Sequence, residues 1–178
     1  AGELQREIDG YCNAREFFED VSAQLNMRGL TDIQRAARYF LRMKISFGAD
    51  GRTYGCNAKN LSNAVEYLTD VQRRLMSSSV VIEHKDFENL IKVYDRPKAL
   101  FYCDPPYHST EKYYDVQFTE ADHIRLRDTL AAIKGKFLLS YNDDKFIREL
   151  YKGVKIEAVE RQNNIAGGRF KELIITNY

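Results

Sequence analysis

The 178-residue sequence predicts an α/β fold whose sheet is mostly parallel with an antiparallel end. Three observations carry that prediction. From residue 78 onward, short apolar runs at 78–82, 99–103 and 136–140 alternate with stretches of helical period, the pattern of strands joined by crossover helices. Two further runs, 154–159 and 173–176, follow without a helix between them; they are joined by residues 161–170 around Gly167 and Gly168, which points to an antiparallel pair. Hydrophobic residues make up 44% of the chain, enough for a real core at this length.

Before residue 78 the pattern is helical. Phe17, Phe18, Val21 and Leu25 recur at helical spacing within 13–25. Thr31 with Gln34 makes a capping box, and behind it Ile33, Ala36, Ala37, Phe40 and Leu41 form an apolar stripe. At 100° per residue Arg35, Arg38 and Arg42 fall on the other face as a basic ridge; the ordinary reading of such a ridge is a solvated helix face. Residues 46–55 hold three glycines and predict a mobile or tightly turned loop carrying Arg52 and Tyr54, with Asn57 and Lys59 just after it. Arg and Asn suit base edges and Lys suits phosphates. Residues 61–75 return to helix, with Leu61, Val65, Leu68 and Leu75 expected inward. The division expected is therefore a helical segment over 1–77 and an α/β portion over 78–178.

In the α/β portion, Asp86-Phe87 opens a helix containing Leu90, Ile91 and Val93. Thr119 with Asp122 forms a second capping box ahead of Leu126, Leu130 and Ile133, and a short helix is expected over 143–151. The residues that carry chemistry are Asp104-Pro105-Pro106-Tyr107, directly after the apolar run 99–103. Both prolines fix φ and cannot donate, so the loop is stiff and its carbonyls stay available. An ionised carboxylate, a rigid C=O and an aromatic ring together suit a flat substrate bearing an amino group, and a nucleobase is such a substrate.

Charge is balanced overall at +1, but residues 1–27 carry six acids and two bases whereas 28–60 carry seven bases and two acids. A basic stretch in a neutral chain is the footprint of a polyanion-facing side. Cys12, Cys56 and Cys103 have no paired spacing, which argues for reduced thiols and a cytoplasmic setting rather than a disulfide framework. His84, His108 and His123 form no ligand spacing with them, so no metal is expected. No apolar run approaches the roughly 20 residues of a membrane span, and none is expected.

Taken in order, Asp86-Phe87, Asp104-Pro105-Pro106-Tyr107, the Phe118–His123 run, Ser140-Tyr141-Asn142-Asp143 and the closing Glu172–Tyr178 resemble the Dam-type DNA adenine-N6 methyltransferases. The resemblance covers residues 31–178. It implies a Rossmann-like methyltransferase sheet with a helical target-recognition insertion, S-adenosylmethionine as cofactor and double-stranded DNA as partner, with the target adenine extruded from the duplex. It puts Asp104 and the Pro105 carbonyl on the adenine amine, with Pro106 stiffening the loop and Tyr107 against the ring. Asp86, Phe87 and Asp104 fall on the donor side. Lys112, Tyr113 and Tyr114 fall beside the extruded nucleotide, while Arg35, Arg38, Arg42, Arg52, Tyr54 and Asn57 fall in the target-recognition part. Members of this family also carry an F-x-G-x-G loop for the donor's methionine part and an acidic residue for its ribose. The glycines here do not form that pattern, which points to a preceding segment as a partner or to a truncated form; a restriction endonuclease is a further partner the resemblance suggests.

Within the same chemistry, the alternatives are transfer to cytosine N4, to an RNA base or to a protein glutamine. A competing reading of another class is a catalytically inactive DNA-binding remnant or a regulatory subunit. Cys103, beside the motif, is read as a strand residue and not as a nucleophile.

Overall fold

A computed structural model describes residues 2–56, 61–109, 118–162 and 168–178, the side chains of 62–66 excepted. It divides into two compact units, residues 1–82 and 83–178.

The described residues of the first unit form the helices α1 (Gly2–Asp9), α2 (Arg15–Gln24), α3 (Asp32–Ile45) and α4 (Leu61–Leu75). Helix α1 has no strong signal in the sequence beyond Leu4 and Ile8 four residues apart. Ile8 is nonetheless fully buried with Val21, Ala37 and Leu41, and Leu61 and Leu68 pack against that cluster. Leu75, expected inward, is about half exposed at the end of α4, and Val65 lies among the side chains left undescribed. The capping box at Thr31 forms as expected: the Gln34 N–H reaches the Thr31 hydroxyl and the Thr31 N–H reaches the Gln34 side chain.

Of the expected stripe on α3, Ala37 and Leu41 are buried with Ile45, and Phe40 packs against their cluster, whereas Ile33 and Ala36 are exposed. Packing against α1 and α2 selects this face, and it brings Arg38 and Arg42 to the flank of the core instead of opposite it. After α3 the chain turns tightly through a single 3₁₀ turn, Phe47–Ala49. The fully buried Ser46 hydroxyl takes the Gly51 N–H, and the Gly55 N–H closes the loop on the Ile45 carbonyl at 2.8 Å. Gly55 is required there, because a Cβ would sit 2.9 Å from the Ser46 carbonyl oxygen.

The second unit contains α5 (Phe87–Tyr94), β1 (Leu100–Cys103), α6 (Glu120–Ala131), β2 (Lys136–Asn142), α7 (Lys145–Leu150), β3 (Lys155–Gln162) and β4 (Arg169–Thr176). Its sheet has four strands in the order β1-β2-β4-β3. Among the described residues only β1 and β2 are parallel; β4 runs antiparallel to β2 and to β3. The sheet is thus less parallel than expected, for two physical reasons.

First, 78–82 is not a strand. Ser77 and Ser79 bond each other, the Val80 N–H turns back to the Ser77 carbonyl, and Val81 and Ile82 lie exposed. Second, the last two runs extend into a long hairpin of eight residues on each side. The more apolar β4 takes the interior position, and the charged β3 forms the edge, where Lys, Glu and Arg side chains discourage further pairing.

The core lies on one face of this sheet, where Phe137, Leu139, Tyr141, Leu173 and Ile175 meet Ile91 of α5, Leu126 and Leu130 of α6, and Ile147 of α7. Alternation along each strand leaves Ser140, Asn142 and Glu172 on the opposite face.

Candidate active site

β1 delivers the Asp104–Tyr107 loop at its C-terminal end. The parallel register sets Cys103 opposite Leu139, so the next residue of each strand, Asp104 and Ser140, come side by side. The Ser140 hydroxyl donates to Asp104 Oδ1 at 2.7 Å. Two further side chains on the same sheet face hold the rest of the loop. Asn142 Nδ2 donates to the His108 carbonyl at 3.0 Å, and the Tyr107 hydroxyl donates to Glu172 Oε1 at 2.5 Å. Asn142 and Glu172 are directly paired across β2 and β4, so these two contacts come from one rung of the ladder.

Beyond the motif, the His108 ring stacks on Phe146 and its Nδ1 lies 3.1 Å from Asp144. Burial, and then the hydrogen bond to Glu172, push the Tyr107 phenol well above its ordinary range. Burial alone pushes the Cys103 thiol up to about 11. That thiol stays protonated near neutral pH, which suits a strand residue and not a nucleophile.

Beside the loop runs a groove of about 510 Å³, lined by Phe87, Leu90, Phe101, Cys103, Pro105 and Phe118 among others. Its walls are largely apolar and aromatic, and Asp104 is the carboxylate among its lining residues. Asp86 stands at the start of α5, where it caps the helix through the Glu88 N–H. Arg125 of α6 grips both Asp86 oxygens at 2.8 and 3.0 Å, also reaches Glu88 and Asp122, and lies 4.1 Å from the Phe87 ring centroid. Arg125 holds the Asp86 carboxyl below its ordinary value, and these partners raise Arg125 in turn. The sequence gives no signal for Arg125, because it is one cation among many and only the fold brings it to its partners.

The residues expected to face DNA are placed differently from one another. Arg35 donates to the Leu25 and Met27 carbonyls, and Arg42 to the Gly51 carbonyl. Arg38 is nearly buried, ion-paired with Glu7, bonded to Gln24 and stacked over Tyr11. All three arginines are thus hydrogen-bonded within the helical unit, with Arg35 exposed and Arg38 and Arg42 partly buried. Tyr54 turns inward against Phe18 under Arg15, and its hydroxyl lies 3.4 Å from the Asn13 carbonyl. Arg52 is exposed at the turn. Asn57, Lys112, Tyr113 and Tyr114 lie outside the described residues. Among the described residues no group of three or more His, Cys, Asp or Glu could hold a metal, and no helix is long and apolar enough to cross a membrane.

The second unit thus presents an Asp-Pro-Pro-Tyr loop on a mixed sheet, beside an apolar and aromatic groove. The profile of the D12 class N6 adenine-specific DNA methyltransferases matches residues 3–165, and the chain belongs to that family. It is 31% identical over 104 residues to a DNA adenine methylase of Haemophilus influenzae, covering 50% of this chain and 36% of that protein. It is 27% identical over 92 residues to the Type II methyltransferase M.CviBI of Paramecium bursaria Chlorella virus NC1A, covering 51% of this chain and 35% of that one. The chain thus spans about a third of the length of these curated relatives.

Proposed function

We propose that this chain transfers a methyl group from S-adenosylmethionine to the N6 amine of adenine in double-stranded DNA. The observation that carries the proposal is the Asp104–Tyr107 loop, fixed at the end of β1 by Ser140, Asn142 and Glu172 in a member of an adenine-specific family.

The chemistry follows from the amine. Its lone pair is delocalised into the ring, so it is a poor nucleophile. Asp104 and the Pro105 carbonyl, both acceptors, would draw its two hydrogens and favour a more tetrahedral nitrogen. The charged Asp104 would also stabilise the positive charge that grows on nitrogen as it attacks. Tyr107 supplies a face for the extruded ring and offsets part of the few kcal/mol that unstacking costs.

The residues present fit the adenine end of the donor. The groove beside Phe87 suits a flat ring, Asp104 lines it as an acceptor, and Asp86, the residue before Phe87, is held by Arg125 at the start of α5. When bound, the donor supplies an electrophilic sulfonium methyl. This chain's part is to orient the amine and keep the groove apolar. The reading also proposes a Rossmann-like arrangement for the whole methyltransferase domain, residues 1–77 as its target-recognition part, Arg52 toward DNA and a cytoplasmic setting. A preceding F-x-G-x-G segment and a restriction endonuclease are the further partners it proposes.

Calorimetric titration of S-adenosylmethionine into the chain tests the donor side. Micromolar binding that weakens on Phe87→Ala is the expected result. Binding that is indifferent to Phe87 would remove the groove from the reading.

A further inference from the structure

We infer that Glu172, backed by Arg161, is a positioning residue that sets the Tyr107 ring for an extruded base; the inference rests on the function proposed above. Glu172 lies on the strand farthest in sequence from the motif, and the reaction chemistry gives it no role. Its side chain is only 12% exposed. A carboxylate so buried is costly unless both oxygens are satisfied. Arg161, diagonal to it on β3, serves Oε2 at 2.7 Å, and the Tyr107 hydroxyl serves Oε1.

The phenol is thereby part of what stabilises the buried charge. Tyr107 cannot swing away without leaving Oε1 short of a donor in a place water barely reaches. Tyr107 is also constrained at its ring, which packs on Tyr141 with centroids 6.0 Å apart. A ring tied at the hydroxyl and supported on its body is already in place before a base arrives, and the base then spends no binding energy on ordering it. Arg161 would serve the sheet equally well with Glu172 alone. The bond to Tyr107 is the part that an ordinary cross-strand ion pair does not require.

The inference is tested with duplex DNA carrying 2-aminopurine in place of adenine, whose fluorescence rises when the base leaves the stack, and with anisotropy for overall affinity. Glu172→Ala and Tyr107→Phe should each cut the extrusion signal about tenfold, the size of one hydrogen bond to a charged group. The double variant should lose no more than either single one, because both remove the same bond. Affinity for DNA should hold, since phosphate contacts supply most of it. Glu172→Gln, which keeps an acceptor oxygen, should recover most of the signal.

Should Glu172→Ala fail to fold, Tyr107→Phe reads the same bond by deleting the donor alone, and an unchanged signal in it overturns the inference. Additive losses in the double variant also overturn it while leaving the proposed function standing. No fluorescence rise with the unaltered chain overturns the extrusion reading and the inference together.

Discussion

Ser140 and Asp104 sit side by side at the end of the only parallel strand pair among the described residues, with the serine hydroxyl donating to the carboxylate at 2.7 Å. The contact follows from register: β2 extends past the end of β1, so its next residue meets the first residue of the loop. It fixes one Asp104 oxygen and leaves the other lone pairs for an amine.

Ser140→Ala should lower methyl transfer roughly tenfold to a hundredfold, the range for one hydrogen bond to a charged acceptor, with little change in DNA affinity. Ser140→Thr, which keeps the hydroxyl, should retain most of the rate. Steady-state turnover at saturating DNA checks both; full activity in the alanine variant would mean that the two prolines alone orient Asp104.

Arg125→Ala should release Asp86 and uncover Phe87, weakening donor binding, and it should also change acid stability. Arg125 is the largest cause of the lowered Asp86 value, while at Glu88 it comes second to Lys92. A carboxylate whose folded value lies below its unfolded one contributes stability above the unfolded value and loses it as pH falls through the folded one. The difference in thermal midpoint between wild type and variant should therefore be full at neutral pH and shrink once pH drops below the ordinary Asp value of 3.8. A gap that persists unchanged at lower pH would show that the contribution is packing on Phe87 and not charge.

Arg38 and Arg52 should separate cleanly. Arg38→Ala strands the half-buried Glu7 and should cost about 1.5–3 kcal/mol of stability in the helical unit. Arg52→Ala should leave unfolding unchanged and weaken or relax DNA recognition. Chemical denaturation and DNA anisotropy on both variants decide the matter, and a DNA defect in Arg38→Ala with normal stability would assign Arg38 to DNA contact rather than to holding Glu7.

Gly135→Ala should destabilise the α/β unit by about 1–3 kcal/mol, because the added Cβ meets the Ala99 and Arg96 carbonyl oxygens at 2.8 and 2.9 Å. The same turn is held by Asp95, which accepts the Lys134 and Gly135 N–H groups. Denaturant midpoints measure the cost. A variant as stable as wild type would mean that the segment before β1 can move away without loss.

What the sequence makes legible is what local chemistry decides. Thr31 with Gln34 and Thr119 with Asp122 name their helix starts because the partner of each cap lies three residues away. Asp104-Pro105-Pro106-Tyr107 names its loop because two prolines leave the backbone few choices. What tertiary packing decides is not legible in the same way. The run 78–82 has strand composition, yet among the described residues no ladder partner takes it up. Arg38 reads as a surface cation until α1 brings Glu7 against it. Glu172 reads as one acid in an alternating strand until β4 is placed beside β2, which puts it opposite Asn142 and under Tyr107. Helix α1, with only Leu4 and Ile8 to announce it, owes its burial to α3.

The most direct test is to incubate the chain with unmethylated DNA and methyl-labelled S-adenosylmethionine, then digest the DNA and separate the nucleosides, with Asp104→Ala in parallel. Label is expected in N6-methyladenine and should disappear in the variant while DNA binding is kept. Label in N4-methylcytosine, or equal label from Asp104→Ala, would contradict the proposed function.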